Sequence, residues 1–309
     1  MTPARDEAAR LSHVLDRLPS TRGRPRTVEE LAGGLTNRSF KVRTDEAILV
    51  VRLSRDDTDL LSIDRVAEHT NSRRAADAGA APEVVDCLPD EGVMVVAWVE
   101  GRTYGPHDLR DGDTLQRVAA ACRRLHAGER FANDFDLAAV QRRYLSIVTR
   151  HGFRLPDGYL ELGLAADRVA AVLTASSEPT VPCNNDLHAA NFIDDGERLW
   201  IIDYEFSGNN EACFELGNLW SESWLDDDHL VELVDAYYGV HRDDRIARAR
   251  LWGVLAMYSW TLWASIQDAM SPLDHDYWAW GQENHDRAQR ELAARSLDSL
   301  LDRCRDPAR

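Results

Sequence analysis

Residues 183–206 read CNNDLHAANFIDDGERLWIIDYEF, and this stretch restricts the fold more than any other. The runs NFI and LWIID have strand character and flank the turn residues DDGE, which predicts a tight hairpin. A loop ahead of the hairpin carries Asp186 and Asn191, and the strand leaving it ends in Asp203, with Glu205 just beyond. An aspartate and an asparagine five positions apart in one loop face a common point from two sides. Oxygen donors of this kind suit a hard divalent cation, Mg²⁺ above all.

Away from that hairpin the chain changes character once. After an expected first helix over residues 4–18, the runs TVEEL, SFKVRT and AILVVRL are rich in β-branched residues and separated by turn residues, which predicts an antiparallel meander. DRVAEHTNSRRAADAG has helical character and stops at Gly79, with Pro82 just after it, and two further strands, PEVVDCL and GVMVVAW, follow. From Gly101 onward the period is helical, as in DTLQRVAAACRRLH, where Leu115, Val118, Ala119, Cys122, Leu125 and His126 share one face. The expected class is therefore α+β, with a small antiparallel-sheet lobe over residues 1–100 and a larger, mostly helical lobe over 101–309.

Loop acid, loop amide, hairpin and strand-end acid are the order that phosphoryl transfer from ATP requires in kinase-type folds. The reaction needs an acceptor for the hydroxyl proton and oxygen ligands that hold magnesium against the phosphates. Charge narrows the partners: 53 acids against 36 bases give a net charge of −17, which argues against nucleic acid and suits a small cationic substrate. The start of the chain lacks a secretory pattern and no run is long enough to span a membrane, so a cytoplasmic protein with no membrane partner is expected. Five cysteines without CxxC pairing suggest isolated buried thiols.

Taken together, GGLTNRSFKV, VVRL, IDRVAEHTN, NNDLHAANFI, IIDYEFSGNN, FELGNLWSE and WTLW resemble, in order, the motifs of the choline/ethanolamine kinases, in particular the bacterial choline kinases, within the wider aminoglycoside-phosphotransferase-like group. The resemblance covers most of the chain and implies a bilobal protein-kinase-like fold that uses ATP and Mg²⁺. It implies Asp186 as catalytic base with Asn191 beside it, Asn191 and Asp203 as metal ligands, and Glu205 as support for a second metal. For the nucleotide it implies Arg52, paired with Glu68, on the phosphates, a covering loop with Gly33, Gly34, Thr36 and Asn37, and Trp98. One departure stands out: Asn184 occupies the place where the family usually has a loop-bracing histidine.

For the second substrate the resemblance implies a cationic alcohol between Trp260, Trp263, Tyr277 and Trp280, with Glu222 facing the positive head group. Quaternary ammonium groups are held by such rings through cation–π attraction. Aromatics at helical spacing are as readily core residues, and a helix acid is as readily solvated. Three readings stay open at this level: a choline-type kinase, a kinase for an aminoglycoside or another amino alcohol, and a catalytically weak nucleotide-binding protein suggested by Asn184 alone.

Overall fold

A computed structural model of the 309-residue chain describes residues 3–31, 34, 37–54, 61 and 63–305. The first lobe contains α1 (Pro3–Arg17), β1 (Arg26–Leu31), β2 (Asn37–Thr44), β3 (Ile48–Ser54), α2 (Arg65–Asp77), β4 (Val84–Leu88) and β5 (Val93–Ala97). Its strands form one antiparallel sheet in the order β1-β2-β3-β5-β4, the meander with an inserted helix that the sequence predicts. Alternation along β3 decides the two faces. Leu49, Val51 and Leu53 pack with Phe40, Val42, Val93 and Val95 against Val14, Leu15 and Leu18 of α1, each large apolar side chain contributing about 1.5–3 kcal/mol on burial. Val50 and Arg52 take the other face with Met94 and Val96, toward the second lobe. Asp64 caps α2, its carboxylate accepting from the N–H groups of Val66 and Ala67, both at 3.0 Å.

The second lobe runs through β6 (Arg102–Thr103), α3 (Thr114–His126), α4 (Leu137–His151), α5 (Gly163–Ala175), β7 (Val181–Cys183), β8 (Phe192–Asp194), β9 (Leu199–Ile201), β10 (Gly208–Asn210), α6 (Ala212–Glu222), α7 (Asp227–Tyr238), α8 (Asp243–Met270), α9 (Tyr277–Leu292) and α10 (Leu297–Arg305). β8 and β9 are the expected hairpin, with Phe192 opposite Ile201, and β6 extends it on the free side. The 28-residue α8 is the central post of this lobe, buried along most of its length. α6 crosses it closely because Gly217 lies against the Ala249 carbonyl, where any Cβ would collide, and a Cβ at Gly253 would come within 2.6 Å of the Gly217 oxygen. That close crossing fixes where the C-terminal end of α6, with Glu222, meets the tryptophans of α8. No described helix is long and apolar enough to cross a membrane.

Candidate active site

A cavity of about 810 Å³ lies between the sheet and the helical lobe. Asp186, Asn191, Asp203 and Glu205 border its middle, Arg52, Gly34 and Trp98 its sheet side, and Glu222, Trp260, Trp263 and Trp280 its helical end. Glu68 and Asn37 stand just behind. Tyr277 does not reach the cavity: it is buried at 2% exposure, with its ring edge-on to Trp263 at 5.7 Å. The expectation of Tyr277 as a wall is therefore not met at the cavity surface, where Trp263 and Trp280 lie, because its ring packs edge-on against Trp263 instead. Gly33 and Thr36 lie outside the described residues.

The loop that carries Asp186 is held by hydrogen bonds of its own and by bonds to the Asp203 segment and to Glu215. Asn184 donates through its side chain to the Asp203 carbonyl at 2.7 Å and the Ile202 carbonyl at 3.3 Å, while its amide oxygen accepts the N–H of Asp186 at 3.1 Å. It therefore ties the two acid-bearing segments together. Asn191 donates to the Asp186 carbonyl at 2.8 Å, which uses its nitrogen on the chain and leaves the amide oxygen as the metal-binding type of atom. Beneath the loop, the fully buried Glu215 accepts the N–H of Asn184 at 2.8 Å and that of Asn185 at 2.7 Å. Hydrogen bonds to a charged acceptor contribute about 1.5–3 kcal/mol each. His126 and Cys183 adjoin Glu215, and the His126 ring nitrogen Nδ1 is bonded to the Tyr237 hydroxyl at 2.7 Å.

Glu215 is a site residue that sequence reasoning passes over, although it lies inside the FELGNLWSE motif. Nothing in its spacing from Asn184 marks a contact, because the intervening chain leaves through the hairpin and returns through β10. Three non-glycine residues of the described chain hold left-handed backbone, Asn185 (φ 67°), Asp203 (φ 62°) and Trp224 (φ 53°), and all three fall in or beside this site. Asn and Asp tolerate that region through local hydrogen bonds, whereas a tryptophan there stores strain of order 1 kcal/mol or more.

Across the cavity, Arg52 is paired with Glu68 of α2 and, at 2.5 Å, with Asp203. Arg65 joins the same network by donating to Glu68 at 2.8 Å and lying 3.5 Å from Glu205, which also accepts from the Asn37 side chain at 2.9 Å. Trp98 is pinned outside the sheet by Lys41, 3.5 Å from its ring centroid, and by Glu100, which accepts its indole N–H at 2.8 Å. Gly34, at φ 93°, is close enough to the Asn37 carbonyl that a Cβ would sit 2.7 Å from it, so only glycine closes the loop here.

Around Asp186 the carboxylates crowd together. Burial pushes the Asp186 carboxyl well above the usual carboxylate range, and Glu222, Asp203 and Glu205 push it in the same direction. Burial likewise raises Glu222 to about 7, against the lowering effect of Arg287. Its Oε1 is buried without a hydrogen-bond partner among the described residues. An all-oxygen set of one amide and two carboxylates, amid carboxylates that repel one another, fits a hard divalent cation. At the helical end, Trp263 meets Trp280 edge-on at 5.5 Å, and Trp260 donates its indole N–H to Asn218 at 2.8 Å.

Asn184→Ala removes the tie between Asp186 and the Asp203 segment. At about 0.5–1.5 kcal/mol per lost hydrogen bond, turnover is expected to fall roughly five- to a hundredfold. Steady-state kinetics on the alanine and histidine variants check this: histidine is expected to recover most of the loss, and an alanine variant at full rate would show that Asn184 braces nothing.

The comparisons with known proteins agree with this geometry. The sequence profile described as choline/ethanolamine kinase matches residues 28–232. The crystal structure of a choline/ethanolamine kinase family protein from Mesorhizobium loti superposes with a TM-score of 0.84 at 31% identity, covering 97% of this chain and 99% of that one. The protein LicA of Haemophilus influenzae is 25% identical over 79% of this chain and 75% of its own length. A probable ethanolamine kinase of Arabidopsis thaliana is 23% identical over 81% of this chain and 75% of its own length. The profile match and the full-length superposition together place the chain in the choline/ethanolamine kinase family, as a small-molecule kinase acting on amino alcohols.

Proposed function

We propose that the protein transfers the γ-phosphoryl group of ATP to the hydroxyl of choline. The observation that carries this reading is one cavity in which Asp186 lies between Arg52 on the sheet side and a tryptophan-walled end that contains Glu222. In the proposed step Asp186 accepts the hydroxyl proton as the alcohol oxygen bonds to the γ-phosphorus. The bond from that phosphorus to the β–γ bridging oxygen breaks, and ADP leaves. Arg52, oriented by Glu68, takes the phosphates. Gly34 and Asn37 lie in the segment that would cover them, and Trp98 would border the nucleotide base. Asn191, Asp203 and Glu205 would hold Mg²⁺, which when bound would neutralise charge developing on the transferred group. In this reading residues 1–100 serve the nucleotide and residues 101–309 the chemistry and the acceptor.

The choice of choline follows from what lines the acceptor end. Glu222 serves either a quaternary or a primary ammonium, but the rings discriminate. A methylated head group fills an aromatic box without needing hydrogen-bond acceptors, whereas a primary ammonium loses more hydration there. The test is kcat/KM with ATP for choline, its less methylated analogues, ethanolamine and an aminoglycoside. Choline is expected to be the best acceptor, and Trp263→Ala to raise its KM roughly two- to thirtyfold while nucleotide affinity is unchanged. A wild-type preference for the primary amine or the aminoglycoside removes the choline assignment.

A further inference from the structure

Helix α6 ends in a two-bond cap. The N–H of Leu225 reaches the Trp220 carbonyl at 3.2 Å, and the N–H of Trp224 reaches the Ser221 carbonyl at 3.3 Å. The residue that turns the chain in such a cap takes left-handed backbone, and glycine is the usual occupant because it has no Cβ to clash. Here the occupant is Trp224, at φ 53°. The ring is put to use, since it borders the cavity beside Glu222, Trp260, Trp263 and Trp280.

Two arginines from separate parts of the chain hold the turn. Arg110 donates to the Trp224 carbonyl at 2.6 Å and to the Ser223 carbonyl at 3.4 Å. Arg287 of α9 donates to the Ser221 carbonyl at 2.6 Å and lays its guanidinium 4.5 Å from the centroid of the Trp224 ring. A disfavoured backbone conformation that is over-determined by its surroundings, at the edge of a binding cavity, points to a functional use.

We propose that Trp224 is a specificity-determining wall of the acceptor pocket, selecting methylated ammonium head groups over primary ones. This rests on the acceptor reading given under Proposed function. Trp260 and Trp263 come from α8 and Trp280 from α9, so Trp224 closes the pocket from a third element. Arg287 covers one side of its ring and fixes its plane, which prevents the indole from swinging away to let water reach a smaller ammonium. A trimethylated nitrogen meets this wall with its methyl groups. A primary ammonium leaves a gap there and keeps unpaired N–H groups that an indole ring does not satisfy.

The test is Trp224→Gly, which removes the ring and the backbone strain together. The choline KM is expected to rise roughly three- to thirtyfold, the ethanolamine KM to change by less than about twofold, and the ADP Kd to stay at its wild-type value. The melting temperature is expected to hold or rise, because glycine adopts the left-handed position freely. Should the glycine variant fail to fold, Trp224→Asn, which also tolerates that backbone, makes the same measurement. A variant with the wild-type ratio of choline to ethanolamine efficiency overturns the proposal, as does a fall in melting temperature with both KM values unchanged, the result expected of a ring that only packs. If the wild type phosphorylates neither amino alcohol, the acceptor reading fails and this inference with it. An active wild type whose selectivity ignores Trp224 sinks the inference alone.

Discussion

Asp186→Asn is expected to lower kcat roughly 10²–10⁴-fold while leaving the ADP Kd close to its wild-type value. Asparagine keeps the size of the side chain, and the loop keeps its shape because its holding bonds run through the backbone of residue 186: the N–H to Asn184 and the carbonyl to Asn191. Only the proton acceptor is lost. The substitution also removes a carboxyl whose charged form is disfavoured by burial and by Glu222, Asp203 and Glu205, so the melting temperature is expected to stay level or rise. Loss of activity together with retained stability separates a catalytic base from a structural acid. Steady-state kinetics, calorimetry with ADP and thermal unfolding measure the three quantities, and a variant that turns over normally takes Asp186 out of the mechanism.

Asp203→Asn carries the second large effect. Alanine is the poorer test here, because at φ 62° an added penalty for left-handed backbone would blur the result, while asparagine tolerates that region nearly as well as aspartate. The substitution takes away a proposed Mg²⁺ ligand and one of the two carboxylates paired with Arg52. The expected outcome is a kcat lower by roughly 10²–10³-fold or more and loss of the Mg²⁺-dependent part of nucleotide affinity. Binding of ADP without Mg²⁺ is expected to hold or strengthen, since Arg52 is then freer to meet the phosphates. Titrations of ADP with and without Mg²⁺ distinguish these terms. If Mg²⁺ strengthens nucleotide binding to the variant as much as to the wild type, the metal is held elsewhere.

The sequence by itself determined the features that depend on short stretches of chain. The β-branched runs TVEEL, SFKVRT and AILVVRL marked the antiparallel meander, and the helical period after Gly101 marked the second lobe. The turn DDGE between NFI and LWIID produced the hairpin that brings Asp203 back toward Asp186 and Asn191. These are local rules of backbone geometry, and the site acids could be listed from them and from the order of motifs.

What the tertiary structure decided depends on pairs distant in sequence and on backbone conformations that residue identity does not reveal. Arg52 and Asp203 meet across 151 positions, and Glu215 reaches the loop amides of Asn184 and Asn185 from 31 and 30 positions away. The sequence groups Tyr277 with the pocket rings, yet in the fold it is buried edge-on against Trp263. A tryptophan in a glycine-type helix cap breaks the local rule, and contacts from the distant Arg110 and Arg287 help hold it there. Local propensity selects helices, strands and turns. Which side chains then share a cavity is set by how whole elements pack, and a helix crossing as close as that of α6 over α8 at Gly217 and Gly253 becomes visible only when both helices are in place.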